Sequence, residues 1–252
     1  MVANAGGYDI TIGMANASLT GIAHRGASAY APENTVAAFD EAIRLGAAAI
    51  EFDLRLSADG VPVVVHDETV DRTTNGRGRV AELSRLDMIR FDAGSWKHPR
   101  FAGTRIPTLS EALAAIDDLA VPVMELKTWI PPELLTDILA EYDQTARAVL
   151  LSFDLQRLAP YRTLLPDVRC GLLADKWTGN LAGLCCDAGT GILALNAGIL
   201  TLDRVSQARN AGLEVWTYTV NDAGSIAGAA AMGVSGLITD FPDLIRASPA
   251  AV

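Results

Sequence analysis

The run Ala48-Ala49-Ile50-Glu51-Phe52-Asp53-Leu54-Arg55-Leu56-Ser57-Ala58-Asp59-Gly60-Val61-Pro62-Val63-Val64-Val65-His66 decides how this chain is organised. Strand side chains alternate, so Ile50, Phe52 and Leu54 share one face while Glu51 and Asp53 share the other. Asp59-Gly60 between two extended runs is a two-residue hairpin signal. Val61–His66 is therefore predicted to fold back on the strand before it and not to extend the fold as a new parallel strand. A two-residue loop pairs Ala58 with Val61 and, counted back, Asp53 with His66. Opposed antiparallel residues project from one face, which would set His66 beside the two carboxylates; a one-residue bulge would reverse that result.

Outward from this hairpin, short apolar runs begin near residues 19, 48, 121, 148, 169, 192, 213 and 236. Most are separated by amphipathic stretches at helical spacing, namely 35–45, 133–142, 155–165, 202–211 and 223–232. Gly46, Gly212 and Gly233 stand where helix C-caps are expected. Strand–helix alternation implies right-handed parallel βαβ units, and eight of them in 252 residues suggest a closed (β/α)8 TIM barrel. A doubly wound open sheet is the alternative. The long interval after the second strand holds the hairpin and a Gly-, Arg- and Thr-rich insertion over 67–106, after which Pro107-Thr108 opens a helix through Ala115. Residues 19–252 are expected to form one barrel domain and residues 1–18 a poorly ordered extension.

The hydrophobic content of 50% is ample for one large core. Thirty acidic against twenty basic residues, a net charge of −10, argue against nucleic-acid binding through general electrostatics. No run of 18 uninterrupted apolar residues indicates a membrane span, and the first 18 residues do not resemble a secretory signal; a cytoplasmic location is the expectation. Cys170, Cys185 and Cys186 lack disulfide or zinc spacing and read as buried small apolar residues.

Met124-Glu125-Leu126-Lys127 repeats the pattern of Glu51 and Asp53 on the next strand, with Glu125 and Lys127 on one face at its C-terminal end. In a barrel that is the end where active sites sit. Three converging carboxylates need compensating charge, and hard oxygen donors select Mg²⁺, Ca²⁺ or Mn²⁺. His24-Arg25-Gly26 closes the first strand at the same mouth, whereas His98 lies in a Lys-His-Pro-Arg loop and reads as surface. Asn34 or Thr35, after Pro32-Glu33, is a natural N-cap. The chain has no Walker A loop, no GxGxxG and no GxSxG.

Taken together, His24-Arg25-Gly26, Ala31-Pro32-Glu33-Asn34-Thr35, Glu51-x-Asp53, Asp59–Asp67, Asp71–Gly78, Asp92–Trp96, Ile106–Leu109, Glu125-Leu126-Lys127, Leu151–Phe153 and Thr239-Asp240-x-Pro242 resemble the glycerophosphodiester phosphodiesterase family from about residue 20 to 245. The resemblance implies a TIM barrel and hydrolysis of small glycerophosphodiesters, such as glycerophosphocholine or glycerophosphoethanolamine, to glycerol 3-phosphate and an alcohol. It implies Glu51, Asp53 and Glu125 as ligands of one divalent cation and His24 and His66 as the acid/base pair. Arg25 and Lys127 match phosphate-contacting positions, Glu33 and Asn34 the signature near the site, and Trp216 is a further substrate-binding candidate. One departure is Tyr218, which stands where the family often has Trp. A lysophospholipase D-like phosphodiesterase and a non-catalytic phosphodiester-binding protein are the alternatives; neither a nucleic acid nor stable membrane insertion is implied.

Overall fold

A computed structural model of the chain describes residues 19–245. Nine strands alternate with helices: β1 Thr20–His24, α1 Val36–Arg44, β2 Ala49–Leu56, β3 Pro62–Val64, α2 Arg85–Met88, α3 Leu109–Ile116, β4 Val121–Leu126, α4 Pro132–Glu141, β5 Val149–Ser152, α5 Leu155–Leu164, β6 Arg169–Ala174, α6 Leu181–Ala188, β7 Ile192–Asn196, α7 Leu202–Asn210, β8 Glu214–Tyr218, α8 Ala223–Ala231 and β9 Gly236–Thr239. Eight strands are parallel to their neighbours, and β1 pairs with both β2 and β9, so the sheet closes on itself. The result is a (β/α)8 barrel; the open sheet is excluded by the β1–β9 ladder.

Strand alternation sorts the apolar residues into two layers. Outward-facing Ile50, Phe52, Leu54, Met124 and Leu126 pack under Phe39 and Ala42 of α1 and Leu109 and Leu113 of α3, with the Phe39 and Phe52 rings 5.5 Å apart. Inward-facing Ile22, Ala49, Val123, Val149, Leu173, Ile192, Ala194 and Ile238 fill the barrel around Trp216. A Cβ at Gly236 would lie 2.6 Å from the Trp216 ring, so the absent side chain there makes the space the indole occupies.

The third strand is antiparallel to β2, as the Asp-Gly signal predicts, but the register differs by one residue. Leu54 faces Val64 and Leu56 faces Pro62, and the loop is Ala58-Asp59-Gly60, closed by the Ser57 N–H to Val61 carbonyl bond of 3.0 Å. Gly60 takes φ +78°, a left-handed residue that a three-residue hairpin loop accommodates. Asp53 therefore faces Val65, whose N–H donates to the Asp53 carbonyl at 3.0 Å, and not His66. Pairing ends there, and His66 lies on the bend that follows.

Residues 67–106 pack their own small core of Val70, Val80, Met88, Ala93 and Ile106 against Val63 and Val65 of the hairpin. Asp92 gathers this segment by accepting from the backbone N–H groups of Gly94, Ser95 and Gly103 at 2.7–2.8 Å. Lys97 and Arg100 tie it to the β1–α1 loop through the carbonyls of Ser28 and Tyr30. Among the cysteines, Cys170 and Cys185 are buried but Cys186 is exposed. Adjacent helical residues point about 100° apart, so only one of the α6 pair faces the core. No helix of the described residues is long and apolar enough to cross a membrane.

Candidate active site

The inward-facing position at the C-terminal end of each strand is polar or aromatic. Following the alternation of the strands, these positions are His24, Asp53, Glu125, Phe153, Asp175, Asn196, Tyr218 and Asp240, with Glu51 one layer deeper and Lys127 just beyond β4. In parallel register His24 lies beside Glu51 and Asp53 beside Glu125. The carboxylate oxygens of Glu51, Asp53 and Glu125 lie within 4.8 Å of one another and all three residues are buried.

Such a cluster needs positive charge. Lys127 Nζ supplies some, 2.7 Å from Glu125 Oε1 and 3.2 Å from Asp53 Oδ1. Arg25 supplies more: its Nη1 donates to Glu33 at 2.7 Å and its backbone N–H to Glu51 Oε2 at 3.0 Å. Its Nε is 3.3 Å from Asp53 Oδ2 but is not aimed along a hydrogen bond, leaving a buried donor without a partner. The two cations do not serve the acids equally. Burial raises Asp53, but Lys127 and then Arg25 outweigh it and hold the group below its ordinary range. Burial and the neighbouring Asp53 charge push Glu51 up to about 7, and the same two causes raise Glu125. Three clustered, buried oxygen donors with excess negative charge fit a divalent hard cation.

Asn34 holds φ +58° and Arg25 φ +55°, both in the left-handed region. Asn34 is compensated by two bonds to one residue: its Nδ2 donates to Asp53 Oδ2 at 2.7 Å and its Oδ1 accepts from the Asp53 N–H at 3.1 Å. Thr35, not Asn34, caps α1. The expected N-cap pair thus divides its work between the helix and the carboxylate.

Each imidazole is held by a carboxylate. His24 Nδ1 lies 2.6 Å from Asp240 Oδ1, and Asp240 also accepts from Ser28 Oγ at 2.9 Å and Asn221 Nδ2 at 2.6 Å. His66 Nδ1 lies 2.7 Å from Asp67 Oδ1. Arg72 holds Asp67 and Glu33 together, with Nε to Asp67 Oδ2 at 2.6 Å and two bonds of 2.8 Å to Glu33. Among the described residues neither Nε2 has a hydrogen-bond partner. Burial lowers His24, but the Asp240 bond and then the Glu51 charge carry it above the ordinary histidine value. Burial also lowers His66, and there the nearby Asp53 charge does not make up the difference. His66 is joined to the cluster by a chain of bonded side chains, Asp67 to Arg72, Arg72 to Glu33 and Glu33 to Arg25, and lines one cleft with Glu33 and Asn34, even though the hairpin register does not pair it with Asp53.

Trp216 is the expected contact that the structure puts elsewhere. It faces Gly236, the first residue of β9, its Nε1 reaches Glu214 at the start of β8, and Arg169 at the start of β6 lies over its ring. These neighbours mark the floor of the barrel, so Trp216 is core and not a wall of the mouth. Two residues on, in the same inward phase, Tyr218 stands at the rim with its hydroxyl on Asp175 Oδ1 at 3.0 Å. Asp240 and Tyr218 were legible by extending the inward phase from Ile238 and Trp216. Asp67 adjoins His66, but Arg72 follows it in a loop with no periodicity to point inward.

Comparison with known proteins agrees with the barrel fold and gives its family. A model of the glycerophosphoryl diester phosphodiesterase family matches residues 24–244. A glycerophosphodiester phosphodiesterase of Caldanaerobacter subterraneus subsp. tengcongensis is 35% identical over 239 residues, covering 89% of this chain and 95% of that protein. The YhdW protein of Bacillus subtilis is 36% identical over 232 residues, 89% of this chain and 95% of that one. A phosphodiesterase of Oleispira antarctica, solved in complex with the product sn-glycerol-3-phosphate, superposes with a TM-score of 0.85 at 28% identity, covering 90% of this chain and 94% of that one. With a barrel mouth of this composition and a family match across nearly its whole length, the chain belongs to the glycerophosphoryl diester phosphodiesterase family and is a phosphoric diester hydrolase.

Proposed function

We propose that the chain hydrolyses water-soluble glycerophosphodiesters to glycerol 3-phosphate and a head-group alcohol, with Glu51, Asp53 and Glu125 holding one divalent cation and His24 and His66 exchanging the protons. The observation that carries this reading is the convergence at one mouth of three buried carboxylates and two imidazoles, each imidazole backed by its own acid. The glycerol 3-phosphate bound to the Oleispira antarctica protein supports the product assignment. When bound, the cation would neutralise charge on the phosphate oxygens as the leaving oxygen departs.

The remaining work falls to the chain's own side chains. Arg25 and Lys127 draw the phosphate in by their charge. Asp67 fixes the Nδ1–H tautomer of His66 and leaves a basic Nε2, which takes the proton of the attacking hydroxyl. Asp240 holds His24 in the same sense, and its raised pKa suits it to carry a proton on Nε2 and deliver it to the departing alkoxide. With water attacking, one P–O bond forms, the bond to the head-group oxygen breaks and glycerol 3-phosphate is left; with a glycerol hydroxyl attacking, the same exchange leaves a cyclic phosphate, which a water then opens with the two proton transfers reversed. Glu33 and Asn34 act through Arg25 and Asp53.

Glycerol 3-phosphate release from glycerophosphocholine tests this reading. Turnover is expected to vanish in EDTA and to return on titration of Mg²⁺, Ca²⁺ or Mn²⁺. Full activity in excess chelator would remove the cation from the proposal.

A further inference from the structure

On the far side of the mouth from the imidazoles, the strands end in side chains that this hydrolysis does not employ. Phe153 follows β5, Asp175 follows β6, and Asn196 and Tyr218 end β7 and β8. Asp175 is exposed, and one of its oxygens is pinned: Oδ1 accepts from Asn196 Nδ2 at 3.1 Å and from the Tyr218 hydroxyl at 3.0 Å. Both partners are neutral. Among the described residues Oδ2 accepts no hydrogen bond and no basic side chain forms an ion pair with Asp175. Beside it the Phe153 ring, 45% exposed, meets the Tyr218 ring edge-on at 6.2 Å. This corner is continuous with the carboxylate cluster, because Lys127 Nζ is 5.9 Å from the Phe153 centroid and 2.7 Å from Glu125.

A fixed carboxylate with a free oxygen, bonded to the hydroxyl of Tyr218 whose ring meets Phe153, attracts an organic cation chiefly by charge, with the aromatic surface that Lys127 does not cover adding to it. We propose that this corner receives the alcohol part of the diester and selects head groups that carry an ammonium on a short chain, the quaternary ammonium of choline above all. The proposal rests on the hydrolytic reading given above. An anionic head group would be repelled by Asp175, and an apolar neutral one would gain nothing from its charge.

The test uses the Mg²⁺-loaded enzyme and two esters of glycerol phosphate with the same shape: the choline ester and its uncharged 3,3-dimethylbutyl analogue. The wild type is expected to favour the choline ester in kcat/KM by roughly tenfold, the size of a partly desolvated cation–aromatic and carboxylate contact. The preference should reside in KM and fall toward unity in Asp175→Asn, which keeps the shape and the Tyr218 partner but removes the charge. Phe153→Leu should reduce the ratio to an intermediate value. Choline titrated calorimetrically should bind the wild type more tightly than Asp175→Asn. Equal kcat/KM for the two esters in the wild type, or a ratio unmoved by Asp175→Asn, overturns the head-group assignment and leaves the hydrolytic reading standing. Failure to cleave any glycerophosphodiester overturns both.

Discussion

At the scale of single residues, the two histidines differ in environment more than in type. His24 is held above the ordinary value by Asp240 and Glu51, and His66 is held below it by burial. A base must be neutral and an acid protonated, so the proposed roles put the rate maximum between the two titrations. Activity should fall as pH drops through the His66 titration, below about 6.5, and fall again as pH rises through that of His24, above about 6.5. Each histidine replaced by Ala should lower kcat by about 10²–10⁴-fold. A p-nitrophenyl ester, whose leaving group needs no proton, should recover most of the rate in His24→Ala and little in His66→Ala. Recovery in the opposite variant would exchange the two roles. The carboxylates, both histidines, Arg25 and Lys127 were legible as residues because each sits at a strand end or in a short motif. Their partners were less so: Asp240 is 216 positions from His24, and Arg72 reaches Glu33 across 39.

At the scale of elements, the hairpin shows what a local signal does and does not carry. Asp59-Gly60 marks a reversal, but two-residue and three-residue loops share that signal and differ by one residue of register. Here Ala58 joins the loop, and the β2–β3 ladder is set by the neighbours that the hairpin meets on its other side. Val64 N–H donates to the Pro107 carbonyl at 2.9 Å, and Val63 bridges Thr108. Gly60 has open space around a notional Cβ, so Ala there meets no clash and costs only the left-handed backbone. Gly60→Ala should therefore lower unfolding stability by about 1–2 kcal/mol in chemical denaturation. Asn, which tolerates this conformation, should cost less. A loss well beyond that range in Gly60→Ala would mean the loop carries more than a turn. The helices were legible where polar and apolar residues alternate at helical spacing; α6, Leu-Ala-Gly-Leu-Cys-Cys-Asp-Ala, lacks a strongly polar face and gave no such signal.

At the scale of the whole molecule, the barrel separates a packed floor from a polar mouth, and position along a strand decides which role a residue takes. Trp216 fills the floor. Trp216→Ala should lower stability by about 3–5 kcal/mol by opening a cavity while leaving KM for glycerophosphodiesters near the wild-type value in protein that remains folded. Gly236→Ala should cost about 1–3 kcal/mol through overpacking against the same ring. A selective rise in KM in Trp216→Ala, with stability intact, would return the indole to the substrate. The sequence by itself determined the strand–helix repeat, the face to which Glu51, Asp53, Glu125 and Lys127 point, and the presence of a hairpin and insertion after the second strand, because these follow from periodicities of two and 3.6 residues and from turn chemistry within a few positions; that the repeat closes was decided by the β1–β9 ladder. The tertiary structure alone decided the hairpin register, the carboxylate behind each imidazole and the depth of each inward-facing residue in the barrel. Those depend on contacts between residues far apart in the chain, and their geometry exists only once the last strand has closed on the first.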